Sequence, residues 1–320
     1  MAPAIRIEGL TKDYAVGFWR PRPYRALDAL TLDIEQGEVF GFLGPNGAGK
    51  TTTLKLLMQL IFPTSGRAEI LGRPVGNVGV RRRIGYLPEN PYFYDYLTAE
   101  ELLTYFARLF GYRGEERTRR VSSLLDRVGI GSERRLQLRK FSKGMIQRVG
   151  IAQAILNEPD VIFLDEPMSG LDPLGRKALR SLILDLRDQG RTVFFSSHIL
   201  SDAETLCSRV AVLAAGRLAA AGRLTEILAF HVRGWELVVD GLKPDVLARP
   251  GLGVSRATEI VPGRFELELT PEQPPEGTLT ALVAAGATIV SLNPVRETLE
   301  DFFVRQVAEV GTGARAVMKG

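Results

Sequence analysis

The sequence predicts an α/β fold built on a parallel sheet, followed by a smaller α+β domain. Over residues 4–229, short runs of β-branched and apolar residues alternate with longer stretches of helical periodicity, a pattern typical of βα units. The runs 39–43 and 161–164 contain no polar residue, as expected of central strands that are covered on both faces. After residue 230 the strand-like runs alternate between polar and apolar residues, which indicates half-exposed strands.

Three βα units and a helical insertion are predicted within the first 229 residues. Residues 98–150 are mainly helical in pattern, rich in Arg and poor in strand-like runs, which predicts a helical subdomain inserted into the α/β unit. Thr98 is expected to cap its first helix, continuing through Phe110, because Glu101 three residues later can complete a capping box. The predicted strand and helix pairs are 39–43 with 51–61, 161–164 with 176–188, and 192–196 with 201–207, and a further helix is predicted over 145–156.

The composition changes near residue 230, and residues 230–320 are predicted to form a separate small domain with an accessory or regulatory role. A proline-rich link at 271–275 divides this segment. Alternating strands before the link, and a helix, a strand and a helix after it, indicate an α+β arrangement. The predicted strands are 236–240, 264–270 and 288–292, and the predicted helices are 279–285 and 297–307.

Composition and charge narrow the class of protein. The 320 residues are 45% hydrophobic and 24% charged, which excludes disorder for most of the chain. The net charge of 41 − 37 = +4 is too small to require a nucleic-acid partner, and none is expected. No run of 18 apolar residues occurs, and the single cysteine, Cys207, cannot form an intramolecular disulfide. We therefore expect a cytoplasmic protein whose contact with a membrane is peripheral.

A glycine-rich segment follows the first buried strand. Residues 44–51 read GPNGAGKT and precede a predicted helix, as the phosphate-binding loop pattern requires. Glycines let successive backbone N–H groups face a β-phosphate, and the helix N-terminus adds its dipole. Lys50 is expected to reach the β- and γ-oxygens, and Thr51 to offer its hydroxyl to Mg²⁺. The residues expected to hold phosphate and metal are Gly44, Pro45, Asn46, Gly47, Ala48, Gly49, Lys50, Thr51 and Thr52.

Two carboxylates end the second buried strand. Asp165 and Glu166 directly follow the run 161–164, at the sheet edge where ligands of open α/β sheets bind. Asp165 is expected to support Mg²⁺, directly or through its water, and Glu166 to act as the general base that polarises an attacking water. Together with Lys50, they predict hydrolysis of a nucleotide phosphate.

The segment 141–145, Phe-Ser-Lys-Gly-Met, completes a resemblance to the ATP-binding cassette (ABC) superfamily. The family's signature loop is Leu-Ser-Gly-Gly-Gln; Ser142 and Gly144 keep their places, while Lys143 and Met145 replace a glycine and the glutamine. The resemblance implies that Ser142 and Gly144 grip the γ-phosphate of ATP on an opposite protomer, so that two cassettes, a homodimer or a pair with a paralogue, sandwich two ATP molecules. From the residues alone, Ser142 could equally be a plain N-cap serine.

The resemblance extends in order and spacing over residues 4–229. The segment 169–172, Ser-Gly-Leu-Asp, matches the family's D-loop, which implies that Asp172 belongs to the ATP site. His198 matches the switch histidine, which implies contact with the γ-phosphate. Glu89 stands where the family's Q-loop has a glutamine; a carboxylate there would bind Mg²⁺ or its water more strongly but add negative charge beside the γ-phosphate.

Tyr14 matches the aromatic residue that stacks on adenine in this family. The segment 15–25 is longer than the family usually has and carries Phe18, Trp19 and Tyr24, any of which could stack instead. Tyr14 could also be a packed tyrosine of an edge strand, and the segment could contact membrane headgroups or be an ordinary solvated loop.

The residues 141–145, Glu89 and a C-terminal tail ending at 298–303 resemble the ATPase subunits of the type-2 exporter branch. The resemblance implies ATP hydrolysis that energises a separate membrane permease, with export as the expected direction. Two other classes share the catalytic motifs: soluble ABC ATPases that act on ribosomes or DNA, and nucleotide-dependent regulators without turnover.

Four aromatic residues occur within five positions shortly after Glu89. If several are exposed, they form an apolar patch of the kind that anchors an interface, and we expect it to contact the permease. The alternative is burial beneath the helical subdomain. These residues are Tyr92, Phe93, Tyr94 and Tyr96.

Overall fold

The computed structural model describes residues 2–17, 19, 22–227, 232–242, 244–247, 252–271, 275–296 and 298–306. The chain forms two compact units: Met1–Leu224, with the described residues from Phe303, and Thr225–Phe302. The predicted domain boundary at 229 and 230 falls within 228–231, outside the described residues, so that boundary stays a prediction.

The first unit combines two sheets with the helices packed on them. Its strands are β1 (Ile5–Val16), β2 (Arg22–Ile34), β3 (Val39–Leu43), β4 (Ser65–Ile70), β5 (Arg73–Pro74), β6 (Ile84–Leu87), β7 (Val161–Asp165), β8 (Thr192–Ser197), β9 (Arg209–Ala214) and β10 (Arg217–Arg223). Its helices are α1 (Lys50–Leu57), α2 (Val78–Arg81), α3 (Ala99–Leu109), α4 (Gly114–Arg127), α5 (Lys143–Ile155), α6 (Pro173–Asp188) and α7 (Leu200–Leu206), with a 3₁₀ turn at Leu138–Lys140. A short helix, α8 (Leu224–Ile227), begins at Leu224, the last residue of the range Met1–Leu224.

The larger sheet has the strand order β10-β9-β3-β8-β7-β6. Neighbouring strands are parallel, except that β10 is antiparallel to β9. Strands β3 and β7 are buried at every position, and the Phe194 ring packs against those of Phe40, Phe42 and Phe163. The predicted α/β class with a parallel sheet is confirmed. Because β3, β8 and β7 are adjacent, the segments that leave their carboxyl ends lie side by side.

The second sheet, of order β2-β1-β4-β5, is not predicted by the sequence analysis. Its β1–β2 hairpin places Tyr14 opposite Tyr24 and Val16 opposite Arg22, so much of the segment 15–25 is strand rather than loop. At the end of β1 and the start of β2, consecutive residues are exposed. This part of the hairpin therefore lacks the alternation of buried and exposed positions that predicts a strand.

The predicted helical segment contains α3, α4 and α5. The capping box is confirmed: the Thr98 hydroxyl accepts from the Glu101 N–H at 3.1 Å, and the Glu101 carboxylate accepts from the Thr98 N–H at 2.9 Å. Helix α5 begins at Lys143, before the predicted start at 145, because Ser142 is its N-cap.

The second unit contains a four-stranded antiparallel sheet of β11 (Val232–Asp240), β12 (Val254–Val261), β13 (Arg264–Leu269) and β14 (Thr288–Arg296), with α9 (Pro244–Leu247) after β11 and α10 (Pro275–Ala284) after β13. The strand order β12-β13-β11-β14 and the βαββαβ sequence of elements match the ferredoxin-like arrangement. The sequence analysis does not predict β12, which is exposed at nearly every position. Residues 299–306 are helical, and the ends of the predicted helix 297–307 lie outside the described residues.

Among the residues described, none of the helices combines the length and apolar character that a membrane span requires.

Candidate functional site

A cleft of about 430 Å³ lies beside the carboxyl ends of β3, β7 and β8. It brings together the predicted phosphate loop, general base and switch histidine, which are far apart in sequence. This is the sheet edge at which ligands of open parallel sheets bind. The lining residues are Tyr14, Tyr24, Ala26, Asn46, Gly47, Ala48, Gly49, Lys50, Thr51, Thr52, Glu89, Glu166, Ser169 and His198.

Glycines set the path of the phosphate loop. Gly47 and Gly49 have φ angles of 81° and 106°, values that favour glycine. A Cβ on Gly49 would stand 2.6 Å from the Ala26 carbonyl oxygen, and one on Gly44 would stand 2.6 Å from the Leu213 carbonyl oxygen. The loop thus lies directly against neighbouring strands, and α1 starts immediately after it with the unpaired N–H groups of a helix N-terminus.

Lys50 is buried at the centre of the cleft. Its Nζ donates to the Gly44 carbonyl at 2.7 Å and lies 3.3 Å from Oε1 of Glu166. Both side chains are more than nine-tenths buried, so each charge needs the other as a partner. The ammonium group is therefore fixed between the phosphate loop and the predicted base.

Asp165 ends β7 and is held by the Ser196 hydroxyl, whose Oγ donates to Oδ1 at 2.6 Å. Burial raises the pKa of Asp165; the Ser196 and Thr51 hydroxyl groups act against that shift, and the charge of Glu89 adds to it. Within the described residues, the buried Oδ2 of Asp165 has no hydrogen-bond partner.

These oxygen atoms fit a magnesium ion. Mg²⁺ takes oxygen ligands and commonly uses one or two carboxylates together with substrate phosphates. The Thr51 hydroxyl, the unpartnered Oδ2 of Asp165 and the carboxylate of Glu89 offer such a set. A divalent cation would also offset the cost of keeping the Asp165 carboxylate ionised and buried.

Glu166 links the lysine and the histidine. Its φ of 50° lies in the left-handed region, which costs a non-glycine residue about 1 kcal/mol or more, and its N–H donates to the Ser196 carbonyl at 3.2 Å. Nδ1 of His198 is 2.7 Å from Oε2. Because an ionised carboxylate only accepts hydrogen bonds, Nδ1 carries the proton and Nε2 is left for another partner. The strained backbone thus aims the carboxylate at both groups.

Five predicted ATP contacts do not line this cleft: Gly44 and Pro45, at the start of the phosphate loop, and Ser142, Gly144 and Asp172. Ser142 is exposed and caps α5, with its Oγ accepting from the Met145 N–H at 3.2 Å. Asp172 is exposed and caps α6, accepting from the Gly175 N–H at 2.8 Å. Within one chain both side chains are helix caps, and their contact with ATP on another protomer stays a prediction.

The first turn of α5 packs against the loop that precedes α6. A Cβ on Gly144 would stand 3.2 Å from the Gly170 carbonyl oxygen, and Nζ of Lys143 lies 3.4 Å from Oγ of Ser169. Ser169 also lines the cleft. The signature loop is thus connected to the cleft through a single intervening loop.

Two of the aromatic candidates for adenine line the cleft. Tyr14 and Tyr24 are directly opposed on β1 and β2, and directly opposed side chains share one face of a sheet. Tyr14 also lies under Nζ of Lys12, 5.3 Å from its ring centroid. Trp19 does not line the cleft, and Phe18 lies outside the described residues.

The aromatic segment after Glu89 is largely exposed. Tyr92 is 93% exposed, Tyr94 63% and Tyr96 59%, whereas Phe93 is half-buried. Burial beneath the helical subdomain is therefore wrong for the three tyrosines. The rings of Tyr94 and Tyr96 are in contact, with centroids 5.7 Å apart, and form an apolar surface with polar tips.

Sequence reasoning missed Ser196 as a functional residue. Ser196 is fully buried and orients Asp165 through its hydroxyl and the Glu166 backbone through its carbonyl. The available signal was the pair of serines that ends an otherwise apolar strand, directly before His198. A buried hydroxyl there needs a polar partner on the adjacent strand end.

Comparison with known proteins agrees with this geometry. Residues 27–169 match the family described as ABC transporter. An uncharacterized ABC transporter ATP-binding protein of Synechocystis sp. is 45% identical over 94% of this chain and 84% of its own length. The bacitracin transport ATP-binding protein BcrA of Bacillus licheniformis is 41% identical over 68% of this chain and 69% of its own length.

A solved structure shares the same architecture. The ATP-binding cassette MJ0796, in a dimeric post-hydrolysis state bound to ADP and phosphate, is 28% identical and superposes with a TM-score of 0.63 over 69% of this chain and 98% of that cassette. The chain therefore belongs to the ABC transporter ATP-binding proteins and is an ATP-binding ATPase subunit of that family.

Proposed function

We propose that the chain dimerises on ATP, hydrolyses it with Mg²⁺, and thereby energises a separate membrane permease for export, at the cytoplasmic face of the membrane. The observation that carries the proposal is the position of Glu166. Its carboxylate lies 3.3 Å from the Lys50 ammonium and 2.7 Å from the His198 ring, in a cleft lined by the phosphate loop. A buried carboxylate with these two partners is suited to act as a general base on a water beside a γ-phosphate.

In the proposed reaction, ATP phosphates lie along residues 44–52 and the Lys50 ammonium neutralises charge on their oxygens. Glu166 takes a proton from the attacking water, and His198, with Nδ1 bound to Glu166, uses Nε2 to hold the γ-phosphate or the water. Mg²⁺, when held by Thr51, Asp165 and Glu89, supplies charge neutralisation on the β- and γ-oxygens.

The exposure of Ser142 supports a composite site. Its hydroxyl and the N-terminus of the thirteen-residue helix α5 face solvent rather than the chain's own cleft, where they are accessible to a γ-phosphate on another cassette. MJ0796, a member of the same family, forms a dimer in a post-hydrolysis state. A single chain is therefore expected to be nearly inactive.

The exposed tyrosines support a permease contact. The backbone of their segment is tied to the turn that precedes Ser142: the Arg139 N–H donates to the Asp95 carbonyl at 2.9 Å, and the Leu138 N–H donates to the Leu97 carbonyl at 2.8 Å. A change at Glu89 on nucleotide binding can therefore move the tyrosine surface and the signature loop together.

The decisive experiment is detergent pull-down of the chain from its native membrane, with wild-type and variant chains compared. Replacing Tyr92 and Tyr94 by Ser should abolish co-purification of a polytopic membrane protein and leave basal ATPase activity and the melting temperature unchanged. Tyr105→Ser is the matched control, because Tyr105 is 54% exposed on α3, outside the segment. Co-purification of ribosomal or DNA-binding proteins instead would overturn the transport proposal.

The second unit is proposed as an accessory domain, since the cleft is built from residues of the first unit alone. A chain ending at residue 229 should remain folded and bind ATP. Insolubility with loss of nucleotide binding would instead make the later segment part of the cassette core.

A further inference from the structure

One fully buried carboxylate in the first unit has no role in the reaction described above. Asp202 lies in the first turn of α7 and has 0% side-chain exposure. Its Oδ1 accepts from the Nη2 of Arg180 on α6 at 2.6 Å, while its Oδ2 and the Arg180 Nε have no partner among the described residues. Burying a carboxylate in a single-point contact is costly, so its position needs an explanation.

The pair joins α7, which begins beside His198, to α6, which begins after the loop that carries the cleft residue Ser169. Helix α7 starts at Leu200, two residues after His198, and α6 starts directly after Asp172. The short connection between β8 and α7 is tightened by the Ile199 N–H, which donates to the Ser197 hydroxyl at 2.9 Å. Because this connection is so short, the backbone of His198 can move little unless α7 moves with it.

Helix α6, which carries Arg180, is held more firmly than α7, which carries Asp202. Helix α6 has sixteen residues and buries four apolar side chains, whereas α7 has only seven residues and no side-chain cap. Removal of the pair is therefore expected to loosen α7 rather than α6. A shift of α7 would act on the 2.7 Å contact between His198 and Glu166, which sits at the junction of two strand ends.

We propose that the Arg180–Asp202 ion pair is a positioning device that holds His198 against Glu166 and so sets the rate of hydrolysis without contacting nucleotide. The inference rests on the role proposed for His198. It assigns Asp202 and Arg180 as positioning residues whose whole effect on turnover passes through the histidine.

A double-mutant cycle tests this, with single-turnover ATP hydrolysis by the full-length chain as the readout. Asp202→Asn should lower the rate about tenfold and leave the affinity for ATP and the number of ATP molecules bound within twofold. In a His198→Ala background, Asp202→Asn should cause no further loss. Arg180→Lys, which keeps the charge, should recover part of the rate lost in Arg180→Ala.

Glu38→Gln is the matched control, because Glu38 is also buried and bonded to an arginine, Arg209, at 2.9 Å, but is far in the chain from His198 and lines no part of the cleft. It should leave the rate unchanged. If Asp202→Asn lowered the rate equally in the wild-type and His198→Ala backgrounds, the inference would be overturned and the role of His198 would remain intact. The same conclusion would follow if Asp202→Asn lowered the rate in neither background. A normal hydrolysis rate in His198→Ala would overturn the proposed role of the histidine. If Asp202→Asn nevertheless hydrolysed ATP slowly, the positioning proposal would be overturned as well.

If Asp202→Asn does not fold, the Arg180→Ala and Arg180→Lys pair is used in the same cycle with the same criterion.

Discussion

Polar side chains are buried in the cleft but exposed on the signature surface, which we define as residues 142–144 and 169–172. In the cleft, Lys50, Asp165 and Glu166 are buried and bonded across strand ends. On the signature surface, Ser142 and Asp172 are exposed, and within the described part of the chain their hydrogen bonds go to their own helices. In the proposed reaction, the first arrangement acts on ATP bound to its own chain, whereas the second acts on ATP bound to another chain. Each chain would then contribute one half to each of two composite sites.

The largest effect is expected in the cleft. Glu166→Gln should lower ATP hydrolysis by a factor of about 10² to 10⁴, because an amide cannot take the proton from water. ATP binding should survive, since the phosphate loop and Lys50 are unchanged. Gel filtration should show an ATP-dependent dimer for this variant. A monomer with near wild-type turnover would contradict both the base assignment and the composite site.

The second effect tests the signature surface. Ser142→Asp keeps a good N-cap for α5 but places a negative charge where a γ-phosphate is expected, so the variant should fold normally and lose activity. Lys50→Ala should be inactive for a different reason, within the cleft.

A mixture of these two inactive variants should regain activity. In a mixed dimer one site combines both defects and the other combines two intact halves, so random pairing should restore roughly a quarter of the wild-type rate. A mixture that remains inactive would count against a homodimeric composite site. Activity of Ser142→Asp alone would remove the signature surface from the reaction.

The difference between the two regions also explains what the sequence could predict. Each of the segments 44–51 and 161–166 is one unbroken stretch of sequence, and each contains or directly follows an apolar run, 39–43 or 161–164. Both the strands and the chemistry of these segments could therefore be predicted. Ser196 and the β1–β2 hairpin could not, because their roles depend on partners across the fold: Asp165 for Ser196 and β4 for the hairpin. Exposure of the tyrosines after Glu89 depends on tertiary packing, which periodicity alone does not determine.

A smaller effect is expected for Glu89, which borders the cleft without joining the buried network. Glu89→Gln should keep activity within about tenfold, or roughly 1.4 kcal/mol in the barrier. Because the charge of Glu89 raises the pKa of Asp165, its removal should lower that pKa. Asp165 would then stay ionised and able to support Mg²⁺ at lower pH.

The acidic limb of the pH–rate profile should accordingly move to lower pH in Glu89→Gln. Glu100→Gln, on the outside of α3, is the control and should leave the limb in place. An unchanged acidic limb would contradict the effect of Glu89 on the pKa of Asp165. A loss of activity as deep as that of Glu166→Gln would reverse the roles given to the two glutamates.

The smallest effect concerns the paired tyrosines at the outer side of the cleft. Stacking of a base on an aromatic ring contributes about 1 kcal/mol or more, so Tyr14→Ala should weaken ATP binding roughly fivefold. Tyr24 is exposed, with 53% of its surface accessible, whereas Tyr14 is partly buried and its ring lies under Lys12. Tyr24→Ala should therefore change the affinity by less than about twofold. Inorganic triphosphate, which has no base, should bind both variants as it binds the wild type. If Tyr24→Ala gave the greater loss for ATP alone, the stacking position would belong to Tyr24 on β2 rather than to the family's usual aromatic on β1.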